Sequence, residues 1–394
     1  MDSQDPQNVQ AANASQPDTA IPASKPRRTK RGFTRRRLFN RTAVATGTIA
    51  FLSSGAAVLA AASSAQETQA MTENQLITTA PTSGKLREYW IQADSFFHNL
   101  MPTGMDAMTN TSYMAHQSSY WALGYRAYTS NWETLLHGDD NIGPNTGIPG
   151  PTLRAEVGDT IRIHFRNNDT HYKFAHSMHP HGLLYTPAND GTWIAKDGDQ
   201  PGTALVVGDT FTYEWKAVAS SVGSWPYHDH SKPAFIAGST GSSDSEMNAS
   251  SGIMELGAEL GLFGMIAITD AQTLQVDREF ILCFHDLYET DVPQLSQDFD
   301  CFNGYAFLGN TPTFEARVGE RVRWRIMVLG TDFHVFHLHG HRWQFNGRYD
   351  DSLVFGPSTT LTFDYVEDNP GTWLYHCHVT EHMMGGMVGY YVSK

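Results

Sequence analysis

The stretch WLYHCHVTEHMMGGM, Trp373 to Met387, gathers three histidines, three methionines and one of the three cysteines in the chain. WPYHDHS, Trp225 to Ser231, repeats its pattern with Asp229 where the cysteine stood. Along a strand, residues two apart share a face. HCH therefore turns His376 and His378 to one side and Cys377 to the other, so that one strand can serve two metal centres joined by covalent bonds. The same spacing pairs His228 with His230, His179 with His181, and His337 with His339. Cys377 finds partners in His382 and Met387, five and ten residues on, and in His334, three residues before His337. A thiolate, two imidazoles and a distant thioether are the ligand set of a blue-copper electron-transfer centre. A lone His-x-His is commonplace, but eight histidines in four strand-spaced pairs exceed a tetrahedral zinc site. Met383 and Met384 read as packing residues.

Holding these residues requires two copies of one fold. PTLRAEVGDTIRI, Pro151 to Ile163, matches PTFEARVGERVRW, Pro312 to Trp324, and both copies then reach His-x-x-His-x-His-Gly, at His176 to Gly182 and His334 to Gly340. Trp-x-Tyr-His-x-His follows at Trp225 and at Trp373, and GLFGMI, Gly261 to Ile266, echoes MGGMV, Met384 to Val388. Four landmarks in one order indicate a duplication. DTIRIHF and ERVRWRI alternate with the period of a half-buried strand, and turn residues punctuate the intervals. The sequence thus predicts an all-β protein of two β-sandwiches, 81–272 and 273–394, with a loop in the Gly/Ser-rich AGSTGSSDSEMNASSG from Ala237. His176 occupies the position of His334, but Asp229 removes the thiolate, so only the second domain is expected to bind blue copper. Met265, aligned with Met387, is expected in the core.

A chain of 394 residues suffices for two ordinary domains. Its N-terminus differs from the rest: KPRRTKRGFTRRRLFNR precedes a charge-free run from Thr42 to Ala65. TRRRLF, Thr34 to Phe39, resembles a twin-arginine export signal, with Arg35 and Arg36 as the pair and Ser63-Ser64-Ala65 as a cleavage site. Residues 1–65 are accordingly a signal peptide and disordered N-terminus, and the protein is expected outside the cytoplasm: extracellular, periplasmic or at the cell surface. The run would just span a bilayer of about 30 Å, but its many Ala, Ser, Thr and Gly residues argue against stable membrane insertion. Residues 1–65 hold nine of the 27 Lys/Arg and three of the 41 Asp/Glu, which leaves 18 basic against 38 acidic groups, a net charge of −20. Phosphate binding needs a basic footprint, so nucleic acid is excluded as a partner, whereas cationic substrates and metal ions are favoured. Cys283 and Cys301 are open to pairing after export or to remaining thiols.

The motifs resemble those of the multicopper oxidases, and the two-domain length resembles the small bacterial two-domain laccases, which carry blue copper in the second domain. HPHGLLY and HCHVTEH are also similar to motifs of ceruloplasmin and hephaestin. The resemblance covers residues 85–394 and implies two cupredoxin-like Greek-key β-sandwiches with four coppers per chain. By that resemblance Cys377, His334, His382 and Met387 hold type 1 copper, and His179 and His337 hold type 2. His181, His228 and His376 would hold one type 3 ion, and His230, His339 and His378 the other. His341 would support a ligand, while His98, His116, His137, His164, His171 and His285 are structural. Asp190 and Tyr185 resemble an acid and a tyrosine beside the cluster, although Asn189-Asp190-Gly191-Thr192 is also good turn chemistry.

The expected function is that of a laccase. One-electron oxidation of phenols or aromatic amines at type 1 copper would be coupled, through Cys377, to four-electron reduction of dioxygen to water at the trinuclear cluster. Its partners would be dioxygen and a small-molecule or metal-ion donor. The resemblance also implies a homotrimer with the clusters at subunit interfaces. A metal oxidase acting on ferrous, cuprous or manganous ions is the nearest alternative, favoured by Glu381 beside His382 and by the net charge. A blue-copper electron carrier would need only the Cys377 quartet, and a copper nitrite reductase would keep its cysteine where Asp229 stands.

Overall fold

The computed structural model describes residues 84–239 and 253–394, all within one compact unit, Gln69–Lys394. The export motif lies outside the described residues, as do residues 240–252 of the Gly/Ser-rich stretch.

Strands dominate. The first half contains β1 (Leu86–Asn99), β2 (Ser119–Tyr128), β3 (Leu153–Glu156), β4 (Thr160–Asn168), β5 (His179–Pro180), β6 (Thr210–Lys216), β7 (Gly223–His228) and β8 (Phe263–Thr269), with the one-turn helix α1 (Leu256–Glu259) before β8. The second contains β9 (Arg278–Leu287), β10 (Phe299–Phe302), β11 (Phe314–Ala316), β12 (Arg321–Leu329), β13 (His334–Leu338), β14 (Ser352–Phe355), β15 (Thr360–Val366), β16 (Gly371–Cys377) and β17 (Val388–Ser393), with helix α2 (Thr380–Gly385) between the last two. The sheets run β2-β1-β4-β6 and β3-β8-β7-β5 in the first half, and β10-β9-β12-β15 and β11-β17-β16-β13-β14 in the second. Within these four sheets the halves correspond strand for strand, β14 being the one addition. The chain is therefore all-β, built as two β-sandwiches of the cupredoxin type, and no helix among the described residues is long and apolar enough to cross a membrane.

Each landmark of the duplication has a mechanical role. The tyrosine of Trp-x-Tyr-His-x-His donates its hydroxyl to the carbonyl that opens the Pro-Thr motif, Tyr227 to Pro151 at 2.7 Å and Tyr375 to Pro312 at 2.6 Å. These buried phenols tie the first landmark to the third. The tryptophan rings lie against Gly182 and Gly340, which have φ of +70° and +71°. A Cβ there would meet the ring of Trp225 at 1.9 Å or of Trp373 at 2.9 Å. Glycine after His-x-His is thus required both by the left-handed turn and by the stacked indole.

Alternation predicts β4 well: Ile161, Ile163 and Phe165 point inward and are fully buried. It fails for β12, where every residue after Arg321 is buried. The reason is that β12 and β15 pack on β7, so the polar face meets protein instead of water. Arg325 lies 2% exposed, reaching Glu279 at 2.5 Å and the Ser224 hydroxyl of β7 at 3.0 Å. Thr360 donates to the Ser224 carbonyl at 2.6 Å. Glu279 also pairs with Arg154 of β3; burial would raise its carboxyl, but Arg325 and Arg154 hold it below the usual range. An apolar contact completes the junction, since Cys283, Leu287, Phe299 and Cys301 join the first core. There the two cysteines are buried thiols without a bridge. Removing Glu279 would leave the Arg325 charge buried without a counter-ion, so Glu279→Ala should cost about 3–5 kcal/mol. Urea unfolding of the two proteins measures the difference, and a loss below 1 kcal/mol would show the clamp to be dispensable.

Candidate metal centres

β16 pairs with β13 in the register Phe336↔Cys377 and His337↔His376. Inward-facing Cys377 joins His334, Phe336 and Met387 in the second core, all fully buried, while His376 shares the opposite face with His337. After Cys377 the chain turns through α2 and closes on itself: the Met387 amide donates to the His382 carbonyl at 3.0 Å and the Cys377 amide to the Met387 carbonyl at 3.1 Å. The loop presents His382 to the cysteine. Cys377 Sγ stands 3.7 Å from His334 Nδ1 and 3.8 Å from His382 Nδ1, and the two nitrogens are 3.1 Å apart. That triangle has the size expected around a single ion with bonds of about 2.0–2.3 Å to nitrogen and sulfur, and Met387 is fully buried in the same core as Cys377. Burial raises the Cys377 thiol, but contacts from His334, His382 and the amides of Val335 and Val379 bring it down to about 6. The donor set fits a soft transition ion such as copper.

The remaining eight expected ligands form two quartets, one per sandwich. In the first, His179, His181, His228 and His230 approach one another with ring centres 5.1–5.7 Å apart. In the second, His337, His339, His376 and His378 do so at 5.1–5.3 Å. No ring of one quartet is in contact with a ring of the other among the described residues. Burial lowers His181 and His376 to about 4 and His228 to about 3, which leaves neutral imidazoles ready to ligate. Backbone carbonyls fix the orientation of four rings through Nδ1: Asp190 for His179 at 2.7 Å, Asp351 for His337 at 2.8 Å, Asp229 for His228 at 3.0 Å and Cys377 for His376 at 2.9 Å.

One expected grouping needs correction. His181 and His228 bring their Nε2 atoms to 3.1 Å, but His376 does the same with His339, also at 3.1 Å, and so belongs with His339 rather than with the first-sandwich pair. The cause is the register: β13 and β16 are neighbours in one sheet.

Asp190 and Tyr185 both lie beside His179. The Asp190 carboxylate is 3.4 Å from His179 Nδ1 and one-third exposed, and the Tyr185 ring is 6.1 Å from that imidazole. Burial and then Asp190 push the Tyr185 phenol up to about 12. His341 donates from Nδ1 to the His339 carbonyl at 2.7 Å and meets both Glu367 oxygens at 2.9 and 3.1 Å. Glu367, 1% exposed, also accepts from Tyr391. Of the histidines given no metal role, His164 stacks on Trp90, His171 stacks on Trp121 and His98 binds the Gly304 carbonyl.

In the first sandwich the counterpart of the Cys377 centre is filled. Asp229 holds His176 Nδ1 at 2.7 Å and accepts the Ser177 amide at 2.9 Å, and Asp169 stands 3.4 Å from His176 Nε2. Burial opposes charge on this imidazole, but the two carboxylates raise it to about 9. Met265 is a core residue, as expected. Besides Glu367, the acids that escaped the sequence reading include two beside the cysteine-type positions, Asp169 here and Asp286, whose Oδ2 stands 3.5 Å from His334 Nε2. The first was hinted at by spacing alone, seven residues before His176; the second lies in the acid-rich HDLYETD with nothing to mark its direction.

Two β-sandwiches, one Cys/His/His/Met centre and two histidine quartets define a copper oxidoreductase class. A multicopper oxidase family model matches residues 128–243 and a second matches residues 285–394. The chain belongs to the multicopper oxidase family. It is 29% identical over 277 residues to a probable nitrite reductase-hydroxylamine oxidoreductase fusion protein of Kuenenia stuttgartiensis, covering 67% of this chain and 29% of that one. It is 26% identical over 358 residues to ferroxidase HEPHL1 of Homo sapiens, covering 77% of this chain and again 29% of the relative. The chain thus spans about three-tenths of the length of these relatives. Its fold is similar to that of the blue copper oxidase from Nitrosomonas europaea, with a TM-score of 0.54 at 21% identity over 78% of this chain and 86% of the other.

Because its folded pKa is raised, His176 contributes stability that is complete below the unfolded value of about 6.5 and disappears as pH rises through about 9. Unfolding free energy should therefore fall by on the order of 2 kcal/mol across that window, and His176→Gln should lack this component. Equal pH slopes in denaturant titrations of the two proteins would refute the charged triad.

Proposed function

We propose that this chain is a laccase-like multicopper oxidase, taking single electrons from phenolic or aromatic amine donors and reducing dioxygen to water. The observation that carries the reading is the strand β16, which turns Cys377 toward one complete centre and His376 toward another. Bound copper, four ions per chain, would supply one-electron acceptance at the Cys377 centre and four-electron reduction of dioxygen at the histidine cluster.

The chain's own residues divide the remaining work. His334 is fully buried and His382 half-buried beside exposed Glu381 and Met384, so donors meet the His382 edge. The covalent run His376-Cys377-His378 joins the two kinds of centre. Dioxygen reduction consumes protons, and Asp190, reaching both solvent and His179, is the acid that relays them. Tyr185 is the neighbouring phenol.

Three ions held by eight histidines need ligands from both quartets. His181 and His228 form one pair and His339 and His376 another. His378 then completes the first set and His230 the second, with His179 and His337 on the third ion. Since the quartets do not touch within one chain, a second copy has to bring them together, which favours a homotrimer with its clusters between subunits, a closed ring of heterologous contacts. The twin-arginine-like motif favours export. A metal-oxidase reading draws support from Asp286 beside His334 and Glu381 beside His382.

The test is dioxygen uptake by the copper-loaded protein with a substituted phenol and with ferrous iron, alongside copper content and the visible spectrum. A blue protein with four coppers per chain and rapid uptake is expected; a blue protein with one copper and no uptake would leave an electron carrier. Cys377→Ser should lose both colour and uptake. Asp190→Asn should keep the colour and lower kcat about 100-fold, and unchanged turnover would remove the proton role.

A further inference from the structure

A surface cavity of about 360 Å³ in the second sandwich is walled by Trp343, Tyr349 and Tyr365 and by Arg321 and Arg342. The strand β12 shows where it lies. β12 runs nine residues from Arg321 to Leu329, a rise of roughly 26 Å. The residue that follows it, Gly330, lies against Asp286, the neighbour of His334. The cavity is therefore at the end of the sandwich opposite the Cys377 centre, away from the His382 edge.

Its wall holds donors that the protein does not use. Arg323 is engaged with Asp364 and Arg348 with Asp350, but among the described residues neither Arg321 nor Arg342 forms an ion pair. Trp343 is 1% exposed, and its indole N–H has no hydrogen-bond partner among the described residues. Stacking on Phe363, with ring centres 4.1 Å apart, fixes that indole. Tyr349, by contrast, is 67% exposed and presents its ring to solvent.

The charges of the wall select the occupant. Arg323 neutralises Asp364, so the two free guanidinium groups are opposed only by exposed Asp368, and one positive charge is left over. Residues 66–394 carry a net charge of −20. That field repels anions, so an anion is retained only where cations are gathered locally. Guanidinium groups grip a carboxylate through paired N–H donors and also lie flat on aromatic rings. A cavity of this size accommodates a small molecule, and its aromatic walls suit a planar ring.

We infer that this cavity binds a small aromatic monocarboxylate, with its anion at Arg321 and Arg342 and its ring against Tyr349 and Tyr365. The binding stands independently of the oxidase reading; its link to the copper chemistry rests on that reading. The Tyr365 ring is 5.6 Å from that of His341, and His341 donates to the His339 carbonyl. An occupant that fixes Tyr365 thus acts on a ligand of the second quartet through one intervening side chain.

The probe is p-methoxybenzoate, which has no free phenol to oxidise, titrated calorimetrically into copper-loaded full-length protein. One saturable site per chain is expected. The neutral isostere p-methoxybenzamide and inorganic phosphate should each bind about tenfold more weakly or worse. Arg321→Gln and Arg342→Gln should each cost about tenfold and Tyr349→Ala about threefold, whereas Lys216→Gln on the first sandwich should cost nothing. Absence of saturable binding by the folded protein, equal affinity for acid and amide, or unchanged affinity in both arginine variants would overturn the site. Phosphate bound as tightly as p-methoxybenzoate would overturn its aromatic character. Saturation should also change the magnetic resonance spectrum of the histidine-bound copper and leave the blue band as it was; binding without that change overturns the link to His339. Binding by a protein that takes up no copper would retain the site and sink the oxidase reading.

Discussion

The two-residue repeat of one strand governs this molecule. Because β16 alternates, Cys377 must enter the second core when His376 faces the other way, and a shift of one residue in its pairing with β13 would exchange them. The register is held from several sides. Tyr375 anchors the strand to the carbonyl of Pro312, the indole of Trp373 covers Gly340, and the Val335 amide donates to the Cys377 sulfur at 3.4 Å. These supports belong to the sandwich itself, and closure of the α2 loop adds His382 and Met387 to the ligand face.

The first sandwich uses the same scaffold without the sulfur. Where the second has a thiolate between two imidazoles, the first has Asp229 bonded to His176, with Asp169 on the far side and the backbone of Gly257 pressed against the carboxylate. A protonated imidazole between two acids does electrostatically what a bound ion would do, satisfying buried polar groups that would otherwise be costly. Asp229 in place of the cysteine, Ala234 in place of His382 and the added Asp169 together put a structural ion triad where the second copy has its Cys/His/His centre. His228 and His230, flanking Asp229, keep their outward face regardless, so the first copy retains its histidine quartet.

Much of this was legible in the sequence because the ligands repeat at strand spacing. His376 and His378, or His179 and His181, can share a face only if the chain is extended, and the duplicated landmarks gave the order of strands. What was not legible depends on contacts between distant segments. Nothing in ERVRWRI announces that Arg325 faces another sandwich instead of water, and nothing in HDLYETD shows that Asp286 points at His334. The grouping of His376 with His339 follows from which strands are neighbours, a property of topology that spacing within either motif does not contain.

The junction between the sandwiches carries more than cohesion. β7 bears His228 at its end and is gripped at Ser224 by Arg325, Thr360 and Thr362. The clamp therefore fixes the sheet bearing one histidine quartet to the second sandwich, through the sheet opposite the one that bears the other quartet. On another side of the same junction, α1 brings Glu259 toward Asp286, next to the Cys377 centre. The relative placement of the sandwiches thus sets both the direction in which the quartets face and the charge beside the Cys377 centre. A mutation in the clamp would be felt at both, while one inside either core would be felt at one.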